Sequence, residues 1–151
     1  MAQAARFTLI YDGVCKLCDG VVAFIIKRDP GGALFRFCAL QSRAAEPLLA
    51  AAGVTRADAL ASFVLLDGAR VLRRSDAALA IAAALPPPWP LLAAAGGCVP
   101  RAVRDAVYDL VARNRYALFG KEDACLAPTR SVLARFIDAD EIREGLRRKA
   151  E

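Results

Sequence analysis

The sequence predicts a mixed α/β domain with helices appended, and three observations carry that prediction. Phe7-Thr8-Leu9-Ile10-Tyr11 is a short, uncharged, β-rich run that ends at Asp12-Gly13. Cys15 and Cys18 follow at once, and Cys18, Val21, Val22, Ile25 and Ile26 recur at the three- and four-residue spacing of a helix face. Further on, Ser62-Phe63-Val64-Leu65-Leu66 runs into Asp67-Gly68, a strong hairpin signal, and Arg70 to Arg73 returns from it.

The remaining elements fill in around these. Lys27 and Arg28 suit the carboxyl end of the first helix, and Pro30-Gly31-Gly32 stops it. Residues 34–40 alternate imperfectly around Phe35 and Phe37 and read as a second strand. Residues 44–52 are helical on alanine and leucine propensity, with Gly53 as the stop. Ser75 is expected to cap a helix over 76–85, with Asp76 in its first turn. The order is βαβαββα, with Cys-x-x-Cys at the end of the first strand, which is the pattern of a thioredoxin-like core.

A C-terminal helical extension follows that core. Pro86-Pro87-Pro88-Trp89-Pro90 is expected to be a stiff, extended linker. Val103, Val107, Leu110 and Val111 mark a helix over about 101–113, and Tyr116, Leu118 and Phe119 continue its apolar face to Gly120. Val132, Leu133 and Phe136 suggest another helix, and Asp138 or Asp140 begins the last. The expected division is 1–86 for the core with the cysteine site and 87–151 for helices packed on the same domain.

Composition narrows the chemistry. The chain has 151 residues, 57% hydrophobic and 25% charged, which suits a globular protein with a sizeable core. It contains no histidine, so His-based acid–base catalysis, Ser-His-Asp triads, Cys-His pairs and histidine metal sites are all excluded. The net charge of +5 lacks a dense basic block. Arg143, Arg147, Arg148 and Lys149 are diluted by Glu141, Glu144 and Glu151, so they read as a solvated helix face and not a nucleic-acid surface. The uncharged stretch 77–100 is broken by prolines and glycines into pieces too short to span a membrane. Five cysteines are an odd number, and no secretory leader is visible, so a reducing cytoplasmic setting is expected.

The reactive centre expected is Cys15 with Cys18. Disulfide exchange needs a thiolate, and a free cysteine titrates near 8.5. Backbone N–H groups at a helix start favour an anion at Cys15, and Lys16 adds positive charge, while Asp12 and Asp19 oppose it. The expectation is a reactive Cys15 that attacks a substrate disulfide and a more buried Cys18, one helical turn on, that resolves the mixed disulfide. Asp12-Gly13 is read as an exposed turn, and Asp12 as either a local cap or the carboxylate that takes the Cys18 proton. No cofactor is needed beyond the Cys15–Cys18 couple, and no metal site is assigned. The partners are a thiol- or disulfide-bearing substrate and an unidentified electron donor.

Two other readings stay open. The same pair could ligate a metal, although zinc would need two more ligands from Cys38, Cys98, Cys125 or carboxylates. The domain could also be a redox-inactive interaction module, with the Pro-Trp-Pro linker and Tyr116 to Phe119 as its apolar contact surface. Cys38 is expected as a buried small hydrophobe. Cys98 is expected to pack on the core. Cys125 lies in a polar stretch, where it is either incidental or a third exchange partner near the redox site.

Asp12-x-x-Cys15-x-x-Cys18, within Tyr-Asp-Gly-Val-Cys-Lys-Leu-Cys, resembles the DCC family of thiol-disulfide oxidoreductases. The likeness continues through Lys27-Arg28-Asp29, Phe37 to Leu40-Gln41-Ser42, Arg74-Ser75-Asp76-Ala77, Tyr108 to Arg113-Asn114-Arg115-Tyr116, Phe119-Gly120 and Cys125. The resemblance implies a thioredoxin-like fold and a reaction class. Thioredoxins place a cis-proline before the third strand, beside the cysteines, and residues 58–63 contain no proline. The substrate-docking edge is therefore expected to be built differently, with Ser62 or its neighbours lining it, and to suit a narrower substrate.

Overall fold

The computed structural model describes residues 5–29, 34–120 and 130–150. Strand β1 (Phe7–Tyr11) is followed by helix α1 (Lys16–Arg28), strand β2 (Phe35–Ala39) and helices α2 (Ala45–Ala52) and α3 (Arg56–Ala61). The hairpin β3 (Val64–Asp67) and β4 (Arg70–Arg73) leads into α4 (Arg74–Ala84), α5 (Trp89–Gly97), α6 (Arg101–Phe119), α7 (Arg130–Leu133) and α8 (Ala139–Ala150). The four strands form one sheet in the order β2-β1-β3-β4. β1 and β2 are parallel, joined across α1, while β3 is antiparallel to both β1 and β4. This mixed α/β arrangement is consistent with a thioredoxin-like fold.

Strand periodicity of two sorts the core onto the two faces of the sheet. Phe7, Leu9 and Tyr11 of β1, Phe35, Phe37 and Ala39 of β2, and Leu65 of β3 pack with Val22 and Ile25 of α1 and Ala77 and Ile81 of α4. Ile10, Cys38 and Val64 face the other way, onto Ala45 and Leu49 of α2 and Ala59 of α3. Each fully buried Phe, Leu or Ile contributes about 1.5–3 kcal/mol relative to exposure. Cys38 is buried as expected.

Several elements depart from the sequence reading. Helix α3 is absent from the elements the sequence predicts; Thr55 caps it by accepting the Asp58 N–H at 3.1 Å. Ser75 is not a cap. The helix starts at Arg74, which has a φ of 55°, and the Ser75 hydroxyl donates instead to Asp105 at 2.5 Å. The proline run is not an extended linker throughout, because α5 begins at Trp89 with Pro90 in its first turn, where a missing N–H costs nothing. Cys98 is exposed and does not join the core. Phe136 lies beyond α7 and bridges Phe37 in parallel: the Phe37 N–H donates to the Arg135 carbonyl at 3.0 Å, and the Ile137 N–H to the Phe37 carbonyl at 2.8 Å. This segment covers the open edge of β2.

Helix α6 is inverted relative to its expected apolar face. Val103, Val107, Leu110, Val111, Leu118 and Phe119 are exposed, whereas Arg115 is buried and Tyr108, Ala112 and Tyr116 are half-buried. The inward stripe therefore runs along 108, 112, 115 and 116, one face at helical spacing. Polar side chains occupy it because their partners lie beneath it.

Candidate active site

Strand β1 ends where its parallel register with β2 sets Tyr11 beside Ala39, and the Leu40 N–H continues the pairing onto the Tyr11 carbonyl at 2.7 Å. Gln41 is thereby placed over the turn. Its Oε1 accepts the Gly13 N–H at 2.8 Å, and a Cβ on Gly13 would lie only 3.0 Å from that oxygen and 3.3 Å from the Ala39 Cβ. Glycine suits this close approach, since any side chain would make Gln41 and Ala39 give by a few tenths of an ångström. The turn closes with the Cys15 N–H donating to the Asp12 carbonyl at 3.2 Å.

Cys15 is the N-cap of α1, with extended backbone (φ −89°, ψ 121°), and its Sγ accepts the Cys18 N–H at 3.5 Å. A sulfur there lies at the amide end of the helix's first turn, where negative charge is favoured. Cys18 lies one turn on. Burial pushes its thiol far above the ordinary range, and hydrogen bonding to Cys15, the Cys15 charge and Asp12 push the same way, against a smaller opposing pull from Arg115. Both cysteines are buried, Cys15 at 0% and Cys18 at 6% exposure, so the turn is not the exposed one expected and Cys18 is not the deeper of the two. Asp12 is buried as well. The covering comes in part from the end of α6, where the Gly120 carbonyl accepts the Lys16 N–H at 3.3 Å.

A buried carboxylate needs partners, and Asp12 has four. Oδ1 accepts Gln41 Nε2 at 2.6 Å and the Val14 N–H at 3.2 Å. Oδ2 accepts the Tyr116 hydroxyl and Arg115 Nη2, the latter at 3.4 Å. Burial pushes the Asp12 carboxyl up, but the bonds from Tyr116, Gln41 and Val14 and the Arg115 charge together outweigh it, and the group lies below the usual carboxylate range. Arg115 also donates to the Leu60 carbonyl at 2.5 Å and to its own helix at Ala112. Burial and the bond to Asp12 raise the Tyr116 hydroxyl.

A cavity of about 70 Å³ opens against Cys18, bounded by Asp12 and Leu17, by residues 59–63, and by Tyr108, Val111, Ala112 and Arg115 of α6. Ser62 lines it, while Cys15 does not. A wider apolar groove of about 540 Å³ runs along the other flank of α1, where Lys16 and Leu17 meet Phe24, Ile81, Trp89 and Phe119. Trp89 and Phe119 thus share a surface, whereas the Tyr116 hydroxyl is turned inward to Asp12. Cys125 lies outside the described residues. Among the described residues no three Cys, Asp or Glu side chains converge as a metal site, and no helix is long and apolar enough to cross a membrane.

Of the expected site residues, Asp12, Cys15, Cys18, Lys16 and Ser62 gather at this one end of α1. The sequence places Gln41, Tyr108, Arg115 and Tyr116 in the family resemblance, and Tyr116 on an apolar face, but gives none of them a role beside the cysteines. The available signal was the resemblance, which runs through Gln41, Tyr108, Arg115 and Tyr116 as well as the cysteine motif.

The cysteine turn, the buried aspartate and the roof of α6 define a thiol site on a mixed α/β domain. The chain belongs to the DCC1-like thiol-disulfide oxidoreductase family, whose pattern it matches over residues 9–121. It is 43% identical over 135 residues to the uncharacterised protein YuxK of Bacillus subtilis, covering 89% of this chain and 96% of that one. It is 41% identical over 120 residues to a DCC family protein of Arabidopsis thaliana described as chloroplastic, covering 80% of this chain and 69% of that one. No solved structure matches it.

Proposed function

We propose that the protein exchanges a disulfide with a thiol- or disulfide-bearing substrate, with Cys15 as nucleophile and Cys18 as resolving thiol. The observation that carries this is the placement of Cys15 Sγ at the N-cap of α1, accepting the Cys18 N–H, with the Cys18 thiol held protonated one turn away. In the reducing direction the Cys15 thiolate attacks a substrate disulfide, forming a Cys15 mixed disulfide and releasing one substrate thiolate. Cys18 then gives up its proton and attacks the Cys15 sulfur. The Cys15–Cys18 disulfide forms, the second substrate thiol leaves with a proton, and two electrons have passed to the substrate. An external dithiol donor restores the reduced pair, and no other cofactor enters.

Asp12 is assigned a tuning role. A carboxylate held below its usual range is a weak proton acceptor, so its effect is to disfavour a second negative charge at Cys18, against Arg115. Lys16 supplies positive charge beside Cys15, and Ser62 shapes the cavity. A cytoplasmic, reducing setting fits a pair that works as thiols.

The test is mixed-disulfide trapping, in a background with Cys98 and Cys125 replaced by serine so that those two thiols do not contribute. Cys18→Ser treated with a small aromatic disulfide accumulates a stable adduct on Cys15, while Cys15→Ser accumulates little. Equal labelling of the two variants contradicts the assigned roles.

A further inference from the structure

Within chain 60–63, which walls the cavity beside Cys18, the Phe63 N–H and C=O and the Leu60 carbonyl are satisfied from within. The Phe63 N–H donates to the Tyr108 hydroxyl of α6 at 2.9 Å. The Phe63 carbonyl accepts the Ser62 hydroxyl, also at 2.9 Å, and the Leu60 carbonyl accepts Arg115 at 2.5 Å. Ser62 is extended, with φ −157° and ψ 153°, so the chain has the shape of a strand at this point. An extended polypeptide docks beside such a segment by taking up its free N–H and C=O groups. At Phe63 both are already engaged, and breaking either bond would leave a half-buried polar group to satisfy. The cavity itself is about 70 Å³, roughly half of the ~150 Å³ that accommodates a benzene ring in a protein interior. It has room for one side-chain-sized arm of a disulfide.

We infer that Tyr108 is a specificity-determining residue: by closing the Phe63 backbone it excludes extended peptides and leaves the site to low-molecular-weight disulfides. The inference rests on the thiol-exchange reading above. It adds that the substrate presents its sulfur on a small arm and makes no strand pairing with residues 60–63. The electron balance is that of the exchange already written: two protein thiols become one disulfide as one small disulfide becomes two thiols.

Two matched probes test it with the pre-reduced full chain in single turnover. One is the disulfide of N-acetylcysteine methylamide. The other is the disulfide of an extended peptide with the same cysteine at its centre. Each rate is divided by that of free dithiothreitol with the same probe, which removes intrinsic reactivity. The wild-type protein is expected to favour the small probe by about tenfold or more, and Tyr108→Phe, which removes only the hydroxyl, to shift the ratio toward the peptide by roughly fivefold, the worth of one ordinary hydrogen bond. Equal or faster reaction of wild-type protein with the peptide overturns the inference while leaving the exchange reading intact. A Tyr108→Phe variant whose two rates fall together, at an unchanged ratio, also overturns it. If neither probe oxidises the Cys15–Cys18 pair, the exchange reading itself fails. The wild-type comparison stands independently of how well the variant folds.

Discussion

Helix α1 is held at each end by a buried aspartate–arginine pair, and the two pairs use different partners. At the carboxyl end, Asp29 accepts the Leu34 and Phe35 N–H groups and Arg135 Nη2 at 3.0 Å, while Arg135 also donates to the Ile26 and Asp29 carbonyls. That pair is knit mainly to backbone and fastens the segment before α8 onto the α1–β2 connection. At the amino end, Asp12 is bonded to the side chains of Gln41, Tyr116 and Arg115, beside the cysteines. Two pairs with the same chemistry therefore do different work. One holds chain segments together, and the other also sets a charge next to the cysteine pair. The lesson is that a buried ion pair is read by what its spare oxygens touch.

The largest expected effect breaks the first pair. Arg135→Met leaves Asp29 without its cation and is expected to cost about 3–5 kcal/mol of stability, measured by urea unfolding. The alkylation rate of the cysteine pair in the folded protein should not change. An altered thiol rate in that variant would erase the contrast between the two ends.

Asp12→Asn is expected to cost less, about 2–3 kcal/mol, because an amide oxygen can still accept from Gln41, Val14 or Tyr116. Its distinctive effect is on reactivity. Removing the negative charge lowers the Cys18 thiol, so alkylation of Cys18 at pH 8 should quicken severalfold, whereas Arg115→Met should slow it. Asp12 also has a signed pH signature. Its folded pKa is depressed, so its contribution to stability is complete above the unfolded value of about 3.9 and fades as pH falls through the folded value. Acid unfolding of Asp12→Asn should lack that component.

Asp138 provides a carboxylate of the opposite kind. Burial pushes it up to about 6, above its unfolded value, so its favourable contribution is present at low pH and lost as pH rises through about 6. Asp138→Asn should be the more stable protein at pH 7, by on the order of 2 kcal/mol, with the gain vanishing near pH 4. A thermal melt at each pH decides it.

The smallest effect tests the inverted helix. Val107 and Leu110 are 58% and 57% exposed. Lysine at either should change stability by less than about 0.5 kcal/mol. A loss of several kcal/mol would return them to the core.

The β1–α1 unit was legible because β-rich and helical periodicities meet at a glycine turn, and the Cys-x-x-Cys spacing needs no tertiary knowledge. The hairpin was legible for the same local reason, Asp67-Gly68. What could not be read was set by distant partners. Asp12 reads as an exposed turn residue until α6, over a hundred residues later, supplies Arg115 and Tyr116. Val107 and Leu110 read as core because periodicity gives the phase of a helix face but not its direction. Ser75 reads as a cap because the alternative acceptor, Asp105, is thirty residues away.

The central claim is that Cys15 and Cys18 form one reversible disulfide, and a redox titration tests it most directly. Protein equilibrated across dithiothreitol or glutathione ratios, quenched and alkylated, should show a single two-electron transition that joins these two residues and disappears in Cys15→Ser. Cys15 and Cys18 remaining as free thiols across the whole range of potentials would contradict the account.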